Sequence, residues 1–92
     1  MSEKTGILFS ASLNSVRNVK RQISLGCDIN ETDKYGTPTI IVAARRNSIE
    51  IVRLLMNAGV DINIKSPNGE TVLGWALFHN NDDMKKLCLD NK

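Results

Sequence analysis

The side chains most able to do chemistry in this 92-residue chain are few and widely spaced. His79 is the single histidine, and there are two cysteines, Cys27 and Cys88. A general base needs a partner within hydrogen-bond reach, and a metal centre needs several converging ligands. One histidine supplies neither a triad, a dyad nor a His-based ligand cluster. Asp82-Asp83 follows Asn80-Asn81 at what reads as a helix start, where carboxylates cap backbone N–H groups and favour the positive end of the helix. Asp33-Lys34-Tyr35-Gly36 lacks the spaced oxygen ligands of a calcium loop. No glycine-rich phosphate loop is present. The expectation is a non-enzymatic protein with no metal and no cofactor.

The elements that would position these residues follow from a repeat. Leu25-Gly26-Cys27-Asp28-Ile29-Asn30 returns 33 residues later as Ala58-Gly59-Val60-Asp61-Ile62-Asn63. Gly36 returns as Gly69, Ala43 as Ala76, Asn47 as Asn80 and Leu54 as Leu87. Residues 1–25 follow the register more weakly, with Ile7 on Ile40, Ala11 on Ala44, Asn14 on Asn47 and Val19 on Val52. A fixed period of about 20–50 residues marks a stacked array, in which one unit cannot bury its apolar face alone. Three units fit, about 1–32, 33–65 and 66–92, forming one domain.

The unit resembles an ankyrin repeat. Asp33-x-x-Gly36 is similar to the family's hairpin turn, Ala43-Ala44 to the packed end of its first helix, and Ile49 to Leu55 to its second helix. Gly59-x-Asp61-Ile62-Asn63 is similar to its return into the next hairpin. The resemblance implies an all-α fold, a solenoid of three helix–turn–helix units joined by short β-hairpin loops. Helices are expected near 5–12, 16–24, 49–57, 71–78 and 82–89, with one more opening at Thr37-Pro38. There the Thr37 hydroxyl would cap and Pro38 would take the first helical position. The family usually carries this pair one residue later, so the helix is expected to begin early or to have a distorted first turn. Glu3 stands where the first turn glycine would be, so the first hairpin is expected to be missing. Ile41 occupies a common histidine position of the family, with Leu8 and Gly74 at the same place. The hydrogen bonds of that histidine are therefore absent.

In the family, the hairpin tips and the inner face of the first helices form a concave binding surface. The resemblance carries that role to Lys34, Tyr35 and Thr37 in the central loop and to Pro67, Asn68 and Glu70 in the next. On the helices it carries the role to Ser12, Leu13, Arg45, Arg46, Phe78 and His79. Tyr and Arg are the types that most often dominate interface energy. Trp75, Val42 and Phe9 share one repeat position and read as packing between units.

Composition bounds the rest. The chain is 41% hydrophobic and 24% charged, with a net charge of +2, ordinary for a globular domain and too small by itself to signal nucleic acid. No apolar run reaches about 18 residues, so no membrane span is expected. The N-terminus lacks the basic start and apolar stretch of a signal peptide. Cys88 falls on a core position and Cys27 beside a turn. Stacked units lie about 8–10 Å apart, and the two cysteines sit nearly two units apart, beyond the ~7 Å reach of a disulfide. A reducing, cytoplasmic setting follows. The leading reading is a protein–protein interaction module of adaptor or inhibitor type, a bacterial immunity protein being one version, and monomeric. The alternatives are nucleic-acid or anion binding by Lys34, Arg45 and Arg46 helped by Arg17, Lys20 and Arg21, and self-association through a poorly capped end.

Overall fold

The computed structural model describes residues 6–92, so the expectations for Glu3 and for a helix beginning at Thr5 lie outside the described residues. Among the described residues, six helices form three antiparallel pairs: α1 (Ile7–Ser12) with α2 (Val16–Ser24), α3 (Thr39–Arg45) with α4 (Ile49–Asn57), and α5 (Val72–Phe78) with α6 (Asp82–Asp90). The first helix of each pair has six or seven residues and the second has nine. The first helices also pack on one another more extensively than the second helices do. Shorter helices packed more closely on one side bend the row towards that side, so α1, α3 and α5 line its inner face.

The core runs continuously through the row. Ile7, Ile40, Ile41, Ile51, Leu55, Val72 and Met84 are fully buried, and Cys88 is buried among them. Burial of an aliphatic side chain stabilises by about 1.5–3 kcal/mol. Helix α3 is buried along most of its length, from Thr39 to Ala44, because it lies between α1 and α5.

The helix ends show why the period persists. Asn14, Asn47 and Asn80 adopt left-handed backbone, with φ of 57°, 60° and 55°. At each, the asparagine N–H bonds a carbonyl three residues back, and the next N–H bonds one five residues back. Gly26 and Gly59 end the second helices in the same pattern. Among residues with a side chain, asparagine tolerates this conformation best. Each second helix then starts on a polar cap position, Ser15, Ser48 or Asn81. The Asn81 side chain accepts from the Met84 N–H at 3.0 Å.

Two expectations are corrected. Pro38 is the N-cap of α3, and the helix begins at Thr39, in phase with Val72 of α5. The early Thr-Pro pair does not shift the helix, because a cap residue needs extended backbone and no N–H of its own, which Pro38 supplies at φ −66° and ψ 152°. Thr71 caps α5 through its hydroxyl, which accepts from the Gly74 N–H at 2.9 Å. The hairpin loops contain no ladder among the described residues, only one bridge between Thr32 and Pro38. Side chains bond the loop amides instead, as described below.

The left-handed asparagines give a direct test. Asn14→Ala should lower the stability read by urea denaturation by about 1 kcal/mol, whereas Asn14→Gly should leave it within about 0.5 kcal/mol of wild type.

Candidate functional site

The loop between the first two units is built on Asp33. Its Oδ1 accepts from the Tyr35 N–H at 2.8 Å and from the Thr37 N–H at 2.9 Å. Ser66 does the same one unit on, its hydroxyl accepting from the N–H groups of Asn68 and Glu70. Gly36 holds φ of +84° in this turn, and a Cβ on it would lie 2.9 Å from Pro67 of the next loop. Successive loops therefore touch, which sets the spacing of the side chains they present. Tyr35 is 65% exposed, with the Lys34 ammonium 5.2 Å from its ring centroid. Asn68 is exposed at the aligned tip. Thr37 is not part of this surface: it is 2% exposed. Its N–H and C=O both bond Asp33, and this pinning leaves its side chain beneath the turn.

A second group gathers across the junction of units two and three. Arg45 Nη2 donates to Glu70 Oε1 at 3.1 Å, and the same oxygen accepts from Trp75 Nε1–H at 3.1 Å. The Arg45 guanidinium lies 5.9 Å from the Trp75 ring centroid. His79 stacks on Trp75 with centroids 5.7 Å apart, and Phe78 meets both rings edge-on at 5.2 Å. His79 Nε2 lies 2.9 Å from the Arg45 carbonyl oxygen. A carbonyl only accepts, so Nε2 carries the proton and donates.

The structure thus brings Arg45, Glu70, Phe78 and His79 together around Trp75. It also changes what several of them offer. His79 ties α5 to the end of α3 and is half-buried, and Arg45 is held in an ion pair. Phe78, at 75% exposure, is the member most open to a partner. Leu13, Arg46 and His79 occupy the same C-cap position on α1, α3 and α5, and the first two are exposed. Tryptophan at 75 was legible only as packing. Its spacing of three and four residues to Phe78 and His79, which places all three on one helix face, is the signal that marks it. Phe9 was missed in the same way. With Leu8 and Val42 it forms the apolar wall of a groove between α1 and α3, rimmed by Glu31, Asp33 and Arg45.

The surface charges are fixed by their contacts. The Trp75 N–H bond holds the Glu70 carboxyl below its ordinary range; burial opposes it, and the Arg45 guanidinium helps it. The Thr37 backbone N–H, helped by the Tyr35 N–H, the Thr37 hydroxyl and Arg45, does the same for Asp33. Burial pushes the Cys88 thiol up.

The basic patch of the alternative reading is not assembled as one surface. Arg17, Lys20 and Arg21 project from α2, a second helix, while Lys34, Arg45 and Arg46 belong to the loop and first helix of unit two. Arg45 is in addition neutralised by Glu70. Among the described residues no group of three or more His, Cys, Asp or Glu is placed to hold a metal ion, and no helix is long and apolar enough to cross a membrane.

A row of helix pairs with a fixed 33-residue step, joined by short turns, defines a helical-repeat protein. Residues 7–92 match the model of ankyrin repeats in three copies, and the chain belongs to the ankyrin-repeat family. Arrays of this family generally mediate protein–protein contacts. The chain is similar to a putative ankyrin repeat protein of fowlpox virus, at 36% identity over 73% of this chain and 10% of that protein. It is similar to ankyrin repeat protein 14 of vaccinia virus, at 38% identity over 71% of this chain and 28% of that protein. A putative ankyrin repeat protein of Rickettsia bellii is 31% identical over 84% of this chain and 47% of its own length. The chain therefore spans between a tenth and about half of these relatives.

Asp33 and Glu70 titrate lower in the folded chain than in the unfolded one. Their contribution to stability is complete above the ordinary carboxylate range of about 4 and is lost as pH falls through their lowered values. The urea midpoint should hold steady from about pH 7 to about pH 5 and fall below about pH 4, and Glu70→Gln should flatten that fall.

Proposed function

We propose that this chain is a non-catalytic recognition module that binds a partner protein through the inner face of its first helices and the adjoining loop tips. The observation that supports this most is the exposure of large apolar and aromatic side chains along that one face. Phe9, Leu13, Tyr35 and Phe78 are all exposed there, beside Arg46 and the Arg45–Trp75 stack. Water contact at such side chains is costly, and a partner that covers them gains the whole of their apolar area. Tyr35 and Phe78 sit on supports that the fold itself ties down, because Asp33 bonds the tyrosine's loop and Glu70 bonds the tryptophan that Phe78 packs on. A preorganised platform loses little side-chain freedom on association.

The affinity rests on a few anchors. Among the described residues, Arg46 and Tyr35 make no side-chain bond other than the Lys34 contact of the tyrosine, which leaves them available to a partner. The role is that of an adaptor or an inhibitor covering another protein's surface, in the cytoplasm.

The test is a paired pull-down from cells that carry the gene, with wild type against a Tyr35→Ala/Arg46→Glu variant of equal helicity. A protein held by the first and lost by the second supports the inner face. A protein held equally by both moves the site elsewhere. Once the partner is in hand, Tyr35→Ala alone should weaken binding by about 1–4 kcal/mol, measured by calorimetry.

A further inference from the structure

The groove between neighbouring first helices occurs twice inside the chain, between units one and two and between units two and three. At the second junction it is closed. Arg45 of α3 lies over Trp75 of α5, with the ring centroid 5.9 Å away, and Glu70 holds its guanidinium at 3.1 Å. At the first junction the residues 33 positions earlier are Ser12, Val42 and Thr37. Each is smaller than its counterpart. The Ser12 hydroxyl donates to the Phe9 carbonyl oxygen of its own helix at 2.7 Å, and Thr37 is buried beneath the turn. This groove stays open, with a volume of about 420 Å³, within the size range of clefts that hold ligands.

Its walls resemble what Arg45 meets one junction on. Leu8, Phe9 and Val42 supply an apolar wall, and Glu31 and Asp33 bring two carboxylates to the rim. Glu31 Oε1 accepts from the Leu8 N–H, and its Oε2 makes no hydrogen bond among the described residues. The Thr37 N–H, opposed by burial and helped by the Tyr35 N–H, keeps the Asp33 carboxyl below its ordinary range, so it is charged at neutral pH. Arg45 is the cation on this rim, and Glu70 already meets its charge. Lys34 and Arg46 lie outside the lining residues. An apolar wall that ends in unmatched carboxylates fits a side chain with a long aliphatic stem and a cationic head. Arginine suits it better than lysine, because its planar fork bonds two carboxylate oxygens at once and is more weakly hydrated.

We propose that the groove between α1 and α3 receives an arginine side chain of the partner protein, its stem along Leu8 and Val42 and its guanidinium against Glu31 and Asp33. The chain then repeats with a guest, at its first junction, what it does with its own Arg45 at the second. The proposal rests on the inner-face reading above and names the chemistry of one contact within it.

Titration of the isotope-labelled protein with N-acetyl-arginine N-methylamide, followed by amide NMR shifts, tests it. A ligand of this size reaches a Kd of about 1 mM at ordinary binding energy per atom. Added to about 20 mM, it should shift the amides of Leu8, Ser12, Glu31 and Val42 saturably. The citrulline analogue, of the same shape and without the charge, should bind about tenfold more weakly. Glu31→Gln, which keeps the acceptor for the Leu8 N–H, should weaken the arginine probe to a similar degree. Ser12→Arg sets a cation where α3 carries Arg45 and should fill the groove from within, so that the probe no longer shifts these amides while helicity is unchanged. Absence of a saturable shift in wild type overturns the proposal. So does equal binding of the citrulline analogue, or unchanged probe binding in a Ser12→Arg variant of equal helicity. Once a partner is captured, Ser12→Arg should release it as well. A partner lost by Tyr35→Ala/Arg46→Glu but kept by Ser12→Arg overturns the arginine contact and leaves the inner face standing.

Discussion

An apolar face that a helix pair cannot cover by itself is the constraint on which this molecule depends. Each pair of helices is too short to enclose a core, and the buried side chains of α3 and α4 are buried because units one and three lie on either side. Stability in such a row is close to a sum of unit terms and junction terms. The junction terms here are specific. His79 donates to the end of α3, Arg45 and Glu70 close over Trp75, and Asn81 bonds Asn47 across the helix turns. Polar contacts set the register of a core whose aliphatic side chains, taken alone, would tolerate sliding.

The same constraint explains how one face becomes available for recognition. Shorter first helices allow closer packing on their side, and the row curves around them. Their outward positions are then neither covered by a neighbour nor diluted by loops, because the turns are kept compact by Asp33 and Ser66. Tyr35 at a tip and Phe78 on a helix are held by separate devices, yet both are fixed relative to one backbone.

Much of this was legible in the sequence. The period of 33 residues, the units, the core positions and most helix limits follow from residue type and spacing. Two kinds of feature were not. The left-handed asparagines were visible as a repeat, yet nothing in the letters distinguishes an asparagine that caps from one that turns the chain. The position of Thr37 depends on bonds made by Asp33, four residues earlier, and its residue type suits a surface as well as an interior. Trp75 was read as packing and Arg45 as part of the binding surface. Both roles are shared, because one carboxylate, Glu70, holds the two side chains together.

The start of α1 has a consequence for the order of folding. Gly6 provides no side-chain cap, and the Leu8 N–H bonds instead to Glu31 Oε1 at 2.9 Å, from the loop leading into unit two. A Cβ at position 6 would meet that carboxylate at 2.6 Å, so the close approach relies on glycine. A six-residue helix gains little from its own hydrogen bonds, and this one lacks its cap until a loop more than twenty residues downstream is in place. The first turn of α1 is therefore expected to close only once the loop of unit two is in place, on a template its neighbour provides. In a chain emerging from the ribosome, α1 would then wait for the second unit before it takes its final shape.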